Sequence, residues 1–148
     1  MNHDSWTDSH DLSIVDGLVQ LSYLIQSVLA RVGSEHDLSN IQIRLLGILR
    51  DREPSMFQLA QYLNLEKSSV TGLVDRAERR GLVERVVSPN DRRGFNVRLT
   101  AAGRQLVHVA GAEIERQINA VLETLTETER ASLATLATKI LRSAHAQD

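Results

Sequence analysis

The 148-residue sequence contains no cysteine. That absence excludes disulfides, thiolate metal sites and cysteine nucleophiles, and nothing points to an oxidising compartment, so the cytoplasm is the expected setting. No run of about 18 apolar residues occurs, and the N-terminal MNHDSWTDSH is polar, with no basic segment leading into an apolar core. Neither a membrane span nor a secretory leader is expected. Aromatic residues are scarce, with one Trp, two Tyr and two Phe, so the sequence does not advertise a stacking pocket. The histidines, His3, His10, His36, His108 and His145, share no ligand spacing such as HxxxH, so no metal and no cofactor are expected. No nucleophile motif or phosphate loop stands out. The acidic pairs Glu113 with Glu115 and Glu127 with Glu129 lie two apart, and residues two apart on a helix do not face each other. An enzyme is therefore disfavoured.

What is present is an ordinary soluble composition, 42% hydrophobic and 24% charged, in a chain long enough to bury one core; residues 1–148 are expected to form a single unit. The net charge of −2 conceals an asymmetry. Residues 55–104 hold nine basic residues (Lys67, Arg76, Arg79, Arg80, Arg85, Arg92, Arg93, Arg98, Arg104) against five acidic ones, a net of +4, which leaves −6 on the remainder. A basic middle between acidic ends suits a central segment that meets a polyanion.

From Asp11 to Val32, apolar residues recur at spacings of three and four and cover more than one stripe, which predicts a helix buried on two sides. Either a second subunit or a central position in a monomer would bury it. Ser39 with Gln42, Ser55 with Gln58 and Thr126 with Glu129 each have the spacing of a capping box, and Thr100 is a further N-cap candidate. The stretch LAQYLNLEKSSVTGLV, residues 59–74, has helix-turn-helix spacing. Ala60 is small where two helices cross, Asn64 suits a left-handed turn position, and Val70 and Leu73 pin the second helix to the first. That second helix is predicted over Glu66–Arg80, ending at Gly81. Valine-rich Leu82–Val87 and alternating Phe95–Thr100 then read as strands, with Phe95, Val97 and Leu99 on the inner side and SPNDRRG as the turn. A β-hairpin directly after a helix-turn-helix is a winged helix. Two long amphipathic helices follow, so the fold class is mainly α with a small β-hairpin wing.

Residues 68–103, SSVTGLVDRAERRGLVERVVSPNDRRGFNVRLTAAG, carry a resemblance to the MarR (multiple antibiotic resistance) family of bacterial transcriptional regulators, and the likeness extends from about Asp11 to Ala144. The most specific part is Asp91-Arg92-Arg93 followed by Val97, Leu99, Thr100 and Gly103. The resemblance implies a homodimer in which residues 11–34 and 104–146 interlock with a second copy, while residues 38–103 form a winged helix-turn-helix lobe for DNA. It implies DNA contact by Lys67, Ser68, Ser69, Thr71 and Gly72 in the first turns of the recognition helix, and by Arg76 one turn beyond. In the wing it places Arg93 in the minor groove, with Asp91 orienting it and Arg92 against a phosphate. Gly72 departs from the family, whose members often have arginine there. The partners implied are double-stranded DNA with an inverted repeat, a second copy of the chain and a small-molecule effector, with no membrane. The ligand-crevice candidates are Tyr23, Ser27, Arg44 and His108. The expected function is a homodimeric repressor that a ligand releases from a palindromic operator. The absence of cysteine removes the thiol-oxidation switch of the family's peroxide-sensing branch. The rival reading is a winged-helix module that binds protein instead of DNA, against which the cations Lys67, Arg76 and Arg93 count.

Overall fold

The computed structural model describes residues 11–90 and 94–146. Among them run α1 (Ile14–Glu35), α2 (Asn40–Leu49), α3 (Met56–Leu63), α4 (Lys67–Arg79), β1 (Val83–Val87), β2 (Phe95–Leu99), α5 (Ala101–Val121) and α6 (Glu127–His145). The chain divides into two compact units, one ending at Ile114 and one starting at Glu115, with α5 running across the division. The wing-tip residues Asp91, Arg92 and Arg93 lie outside the described residues.

Local signals explain most of the boundaries. Ser39, Ser55 and Thr126 each accept from the backbone N–H three residues on, and Gln42, Gln58 and Glu129 reach back to the cap N–H, completing three capping boxes. Both bonds from Thr126 hold the Glu129 carboxyl below its ordinary pKa, because they favour the charged form. Ser13 caps α1 by accepting from Asp16, so the helix starts at Ile14, later than the apolar pattern from Asp11 suggests. Asn64 ends α3 in the left-handed conformation, φ 51° and ψ 50°, and Gly81 follows α4 at φ 72°, where a side chain would be strained.

In the first unit the core gathers Leu45, Leu46 and Leu49 of α2, Leu59 and Leu63 of α3, Val70, Leu73, Val74 and Ala77 of α4, and Val83, Val97 and Leu99 of the hairpin. β1 and β2 are antiparallel, with Val83 opposite Leu99, Arg85 opposite Val97 and Val87 opposite Phe95. The segment before α3 extends the sheet: Val97 N–H donates to the Pro54 carbonyl at 2.9 Å, and Ser55 bridges Asn96. Alternation places Phe95 on the inner face with Val97 and Leu99, yet it is 48% exposed, because the hairpin projects past the core before its turn. Α1 contributes the fully buried Val28 and Val32, while Ile14, Val15, Leu18 and Val19 on its first half are exposed.

In the second unit, α5 ends at Val121, earlier than the apolar stripe to Leu125 suggests. The Arg130 guanidinium donates to the Leu122 carbonyl at 2.9 Å, satisfying a group past the helix end. Leu133, Leu136, Ile140 and Leu141 of α6 are exposed. Among the described residues no helix is long and apolar enough to cross a membrane.

Gly103 permits the close join between the hairpin and α5. Its N–H donates to the Thr100 hydroxyl at 3.0 Å, and a Cβ there would overlap the Leu82 carbonyl oxygen, which itself accepts from Thr100 N–H. Gly111, farther along α5, has open space around the same position. Gly103→Ala is therefore expected to destabilise the protein by about 1–3 kcal/mol through overpacking. Gly111→Ala is expected to stabilise it by up to about 1 kcal/mol through helix propensity. Thermal unfolding of the two variants against wild type checks the opposite signs.

Candidate nucleic-acid interface

The sharp turn between α3 and α4 depends on Asn64. Its left-handed backbone lets Leu65 N–H return to the Ala60 carbonyl at 3.0 Å, closing the end of α3 before the chain turns into α4. Val70, Leu73, Val74 and Ala77 then recur at helical spacing and bury one face of α4. The same period turns Ser68, Gly72 and Arg79 outward, opposite that face. Lys67, Ser68, Ser69, Thr71 and Arg76 are exposed and Gly72 is half-buried, so all the recognition-helix candidates share one solvent-facing surface.

The N-terminus of this helix differs from its neighbours. Ser13, Ser39, Ser55 and Thr126 cap their helices with side-chain oxygens, whereas Glu66 at the N-cap of α4 makes no such bond. The first-turn N–H groups are left for an incoming acceptor, and the positive end of the helix dipole favours an anion there. Ser68 and Ser69 lie inside the helix and do not cap it. The Thr71 hydroxyl donates to the Lys67 carbonyl at 2.9 Å, which leaves its oxygen lone pairs as the group available to a partner.

The arginines of the basic middle separate into two sets. Arg80 donates to the Asp37 carbonyl at 2.7 Å and the His36 carbonyl at 2.9 Å, tying the end of α4 to the α1–α2 turn. Arg104 donates to the Leu99 carbonyl at 3.1 Å. Arg98 bonds Glu84 across the strands at 2.6 Å, which holds its pKa above the ordinary value. Arg85 forks between Asp75 at 2.5 Å and Glu78 at 2.7 Å, both on α4. The side chains of Lys67, Arg76 and Arg79 make no hydrogen bond or ion pair among the described residues, and all three are on α4. Arg85 engages both acidic residues of that helix and offsets one of their two charges, so with Lys67, Arg76 and Arg79 the surface of α4 is left positive.

The wing reaches outward beside this helix. Ser88 N–H donates to the Gly94 carbonyl at 3.0 Å and closes the described part of the turn. The DNA-contact candidates Asp91, Arg92 and Arg93 lie in the part outside the described residues.

The four crevice candidates are not joined by hydrogen bonds between their side chains. Ser27 donates to the Tyr23 carbonyl at 2.9 Å along α1, and Arg44 donates to the Tyr62 and Leu63 carbonyls at 3.0 and 3.4 Å, where it satisfies the end of α3. The Tyr23 ring and His108 are exposed on α1 and α5.

Residues 36–94 match the sequence model of the MarR family. The homoprotocatechuate degradative operon repressor of Escherichia coli is 35% identical over 116 residues, covering 75% of this chain and 77% of that protein. The chain belongs to the MarR family. A solved structure of NadR in complex with 4-hydroxyphenylacetate superposes with a TM-score of 0.75 at 26% identity, covering 89% of this chain and 94% of that one. The Staphylococcus aureus MepR–DNA complex shares the fold, with a TM-score of 0.73 at 23% identity over 90% of this chain and 99% of that one. The mainly helical MarR architecture with its two-stranded wing is thus shown by both sequence and structure.

Sequence reasoning missed the fork of Arg85, although a signal was present. Position 85 has the inward parity of Val83 on β1, and a charged residue at such a position calls for partners; Asp75 and Glu78, three apart on one helix face, supply them. Arg85→Ala is expected to lower the unfolding free energy by about 1 kcal/mol, the modest value set by the partial exposure of both acids. Arg85→Lys should recover only part of that loss, because an ammonium cannot fork to two carboxylates as guanidinium does. Urea denaturation of the two variants measures the difference.

Proposed function

We propose that this MarR-family protein is a homodimeric, sequence-specific repressor that binds a palindromic operator and releases it when a small molecule binds. The observation that carries the reading is the set of three uncommitted cations, Lys67, Arg76 and Arg79, on a helix-turn-helix second helix whose own acids are both paired to Arg85. A surface with that charge, an uncapped helix N-terminus and exposed hydroxyls at Ser68, Ser69 and Thr71 suits phosphates and base edges together. Arg93 takes the minor groove, where a narrow groove attracts guanidinium, while Asp91 orients it and Arg92 meets a phosphate.

The exposed apolar residues support the dimer. Ile14, which is 79% exposed, with Val15 and Leu18 on α1, and Leu136, Ile140 and Leu141 on α6, are costly to leave in water, and a second copy covers them. In that assembly residues 11–34 and 104–146 are dimerisation helices and residues 38–103 the DNA lobe. Two-fold symmetry sets the recognition helices about 34 Å apart, facing successive major grooves of an inverted repeat. The repressor role follows the E. coli relative, and the effector follows NadR with its bound 4-hydroxyphenylacetate. Tyr23, Ser27, Arg44 and His108 are the residues assigned to the effector crevice, and the cytoplasm is the place of action.

Titration of the protein against its own upstream promoter region, with unrelated DNA as competitor, tests the reading. Two chains per site and retention of the specific complex under competition are expected. Equal affinity for both DNAs would contradict it, as would one chain per site. Arg93→Ala is expected to weaken operator binding by roughly tenfold or more while sedimentation still shows the dimer; unchanged operator affinity would remove Arg93 from the minor groove.

A further inference from the structure

We propose that Arg76 is the residue that reads a guanine in the major groove, and that Gly72 is what gives it access; the proposal rests on the DNA-binding reading above. Side chains on a helix lean toward its N-terminus, so the residue four positions on covers the surface over the preceding turn. Arg76 follows this rule, and its Nη1 lies 3.3 Å from the point where a Cβ on Gly72 would sit. The guanidinium therefore lies back over Gly72, in space that a side chain at 72 would otherwise take. Its charge is thereby moved toward the N-terminal half of α4, the half that meets base edges in helix-turn-helix docking.

Among the described residues no side chain restrains it. The Arg76 guanidinium makes no hydrogen bond or ion pair among the described residues, and the two acids nearest along the helix, Asp75 and Glu78, are both occupied by Arg85. The glycine costs the helix about 1 kcal/mol relative to alanine, and it is neither at a helix end nor at a positive φ. No buried neighbour requires it either: the side chain that a Cβ there would meet is the Arg76 guanidinium. Space for that guanidinium is what the glycine provides. Among the exposed groups of this surface, Ser68, Ser69 and Thr71 carry short hydroxyls that bond phosphate or base alike, and Lys67 is a flexible point charge. Guanidinium presents the two parallel donors that match guanine O6 and N7, and of the two free guanidiniums on α4 that of Arg79 belongs to the last residue of the helix, away from its N-terminal half.

Selection of bound duplexes from a pool randomised across the operator tests this directly. Wild-type protein is expected to select guanine at one position of each half-site, with a penalty of roughly ten- to a hundredfold for replacing it. Arg76→Ala should abolish the preference at that position and leave the others intact, and Arg76→Lys should restore affinity without restoring the preference. Gly72→Leu, which raises helix propensity and so should not unfold the protein, should erase the same preference by displacing the guanidinium. An Arg76→Ala protein that loses affinity equally for every sequence, with base preferences unchanged, would make Arg76 a phosphate contact and overturn the proposal. A Gly72→Leu protein that keeps the guanine preference would overturn the part assigned to Gly72. Wild-type protein that selects no sequence at all would overturn the regulator reading itself, a failure distinct from either.

Discussion

The fork from Arg85 to Asp75 and Glu78 is the interaction on which the character of this lobe depends. It fastens the first wing strand to the second helix of the helix-turn-helix, holding hairpin and α4 to each other. It also consumes the acids of α4 without spending any of that helix's own cations. Without it, two carboxylates would stand among Lys67, Arg76 and Arg79 and cancel most of the field they create. One half-buried side chain thus links the packing of the hairpin to the charge of the surface beside it.

The remaining arginines show how little a charge count says about partners. Arg80, Arg98 and Arg104 contribute to the basic balance of residues 55–104, yet their guanidiniums bond carbonyls or a carboxylate of the first unit. They hold the α1–α2 turn, the strand pair and the start of α5. The positive potential offered outward comes from fewer groups, and among the described residues of that segment these sit on one helix.

Local chemistry was legible where a few neighbouring residues decide the outcome. Ser39 with Gln42, Ser55 with Gln58 and Thr126 with Glu129 cap their helices as their spacing implies, and Asn64 adopts the left-handed turn that makes the helix-turn-helix. The order of helices and hairpin followed from these signals and from apolar periodicity, whereas the MarR family was legible through the resemblance carried by residues 68–103. The exposure of Phe95 was not legible, because alternation gives a side and not the depth of the core beneath it. Nor was the commitment of Arg80, whose partners lie 43 and 44 residues away, whereas the inward parity of Arg85 and the spacing of Asp75 and Glu78 did signal its fork. Arg44 illustrates the same point: a cation that suits a ligand crevice also satisfies the carbonyls at the end of α3.

The central claim is that the free cations of α4 meet DNA phosphates and bases. It is tested most directly by operator affinity measured across a range of salt concentrations for wild type, Lys67→Gln and Arg79→Gln. Each phosphate contact releases counterions, so the account predicts a steep linear fall of log affinity with log salt for wild type, and a slope shallower by about 1 in each variant that loses a phosphate contact. A slope that is flat in wild type, or identical in all three proteins, would contradict it.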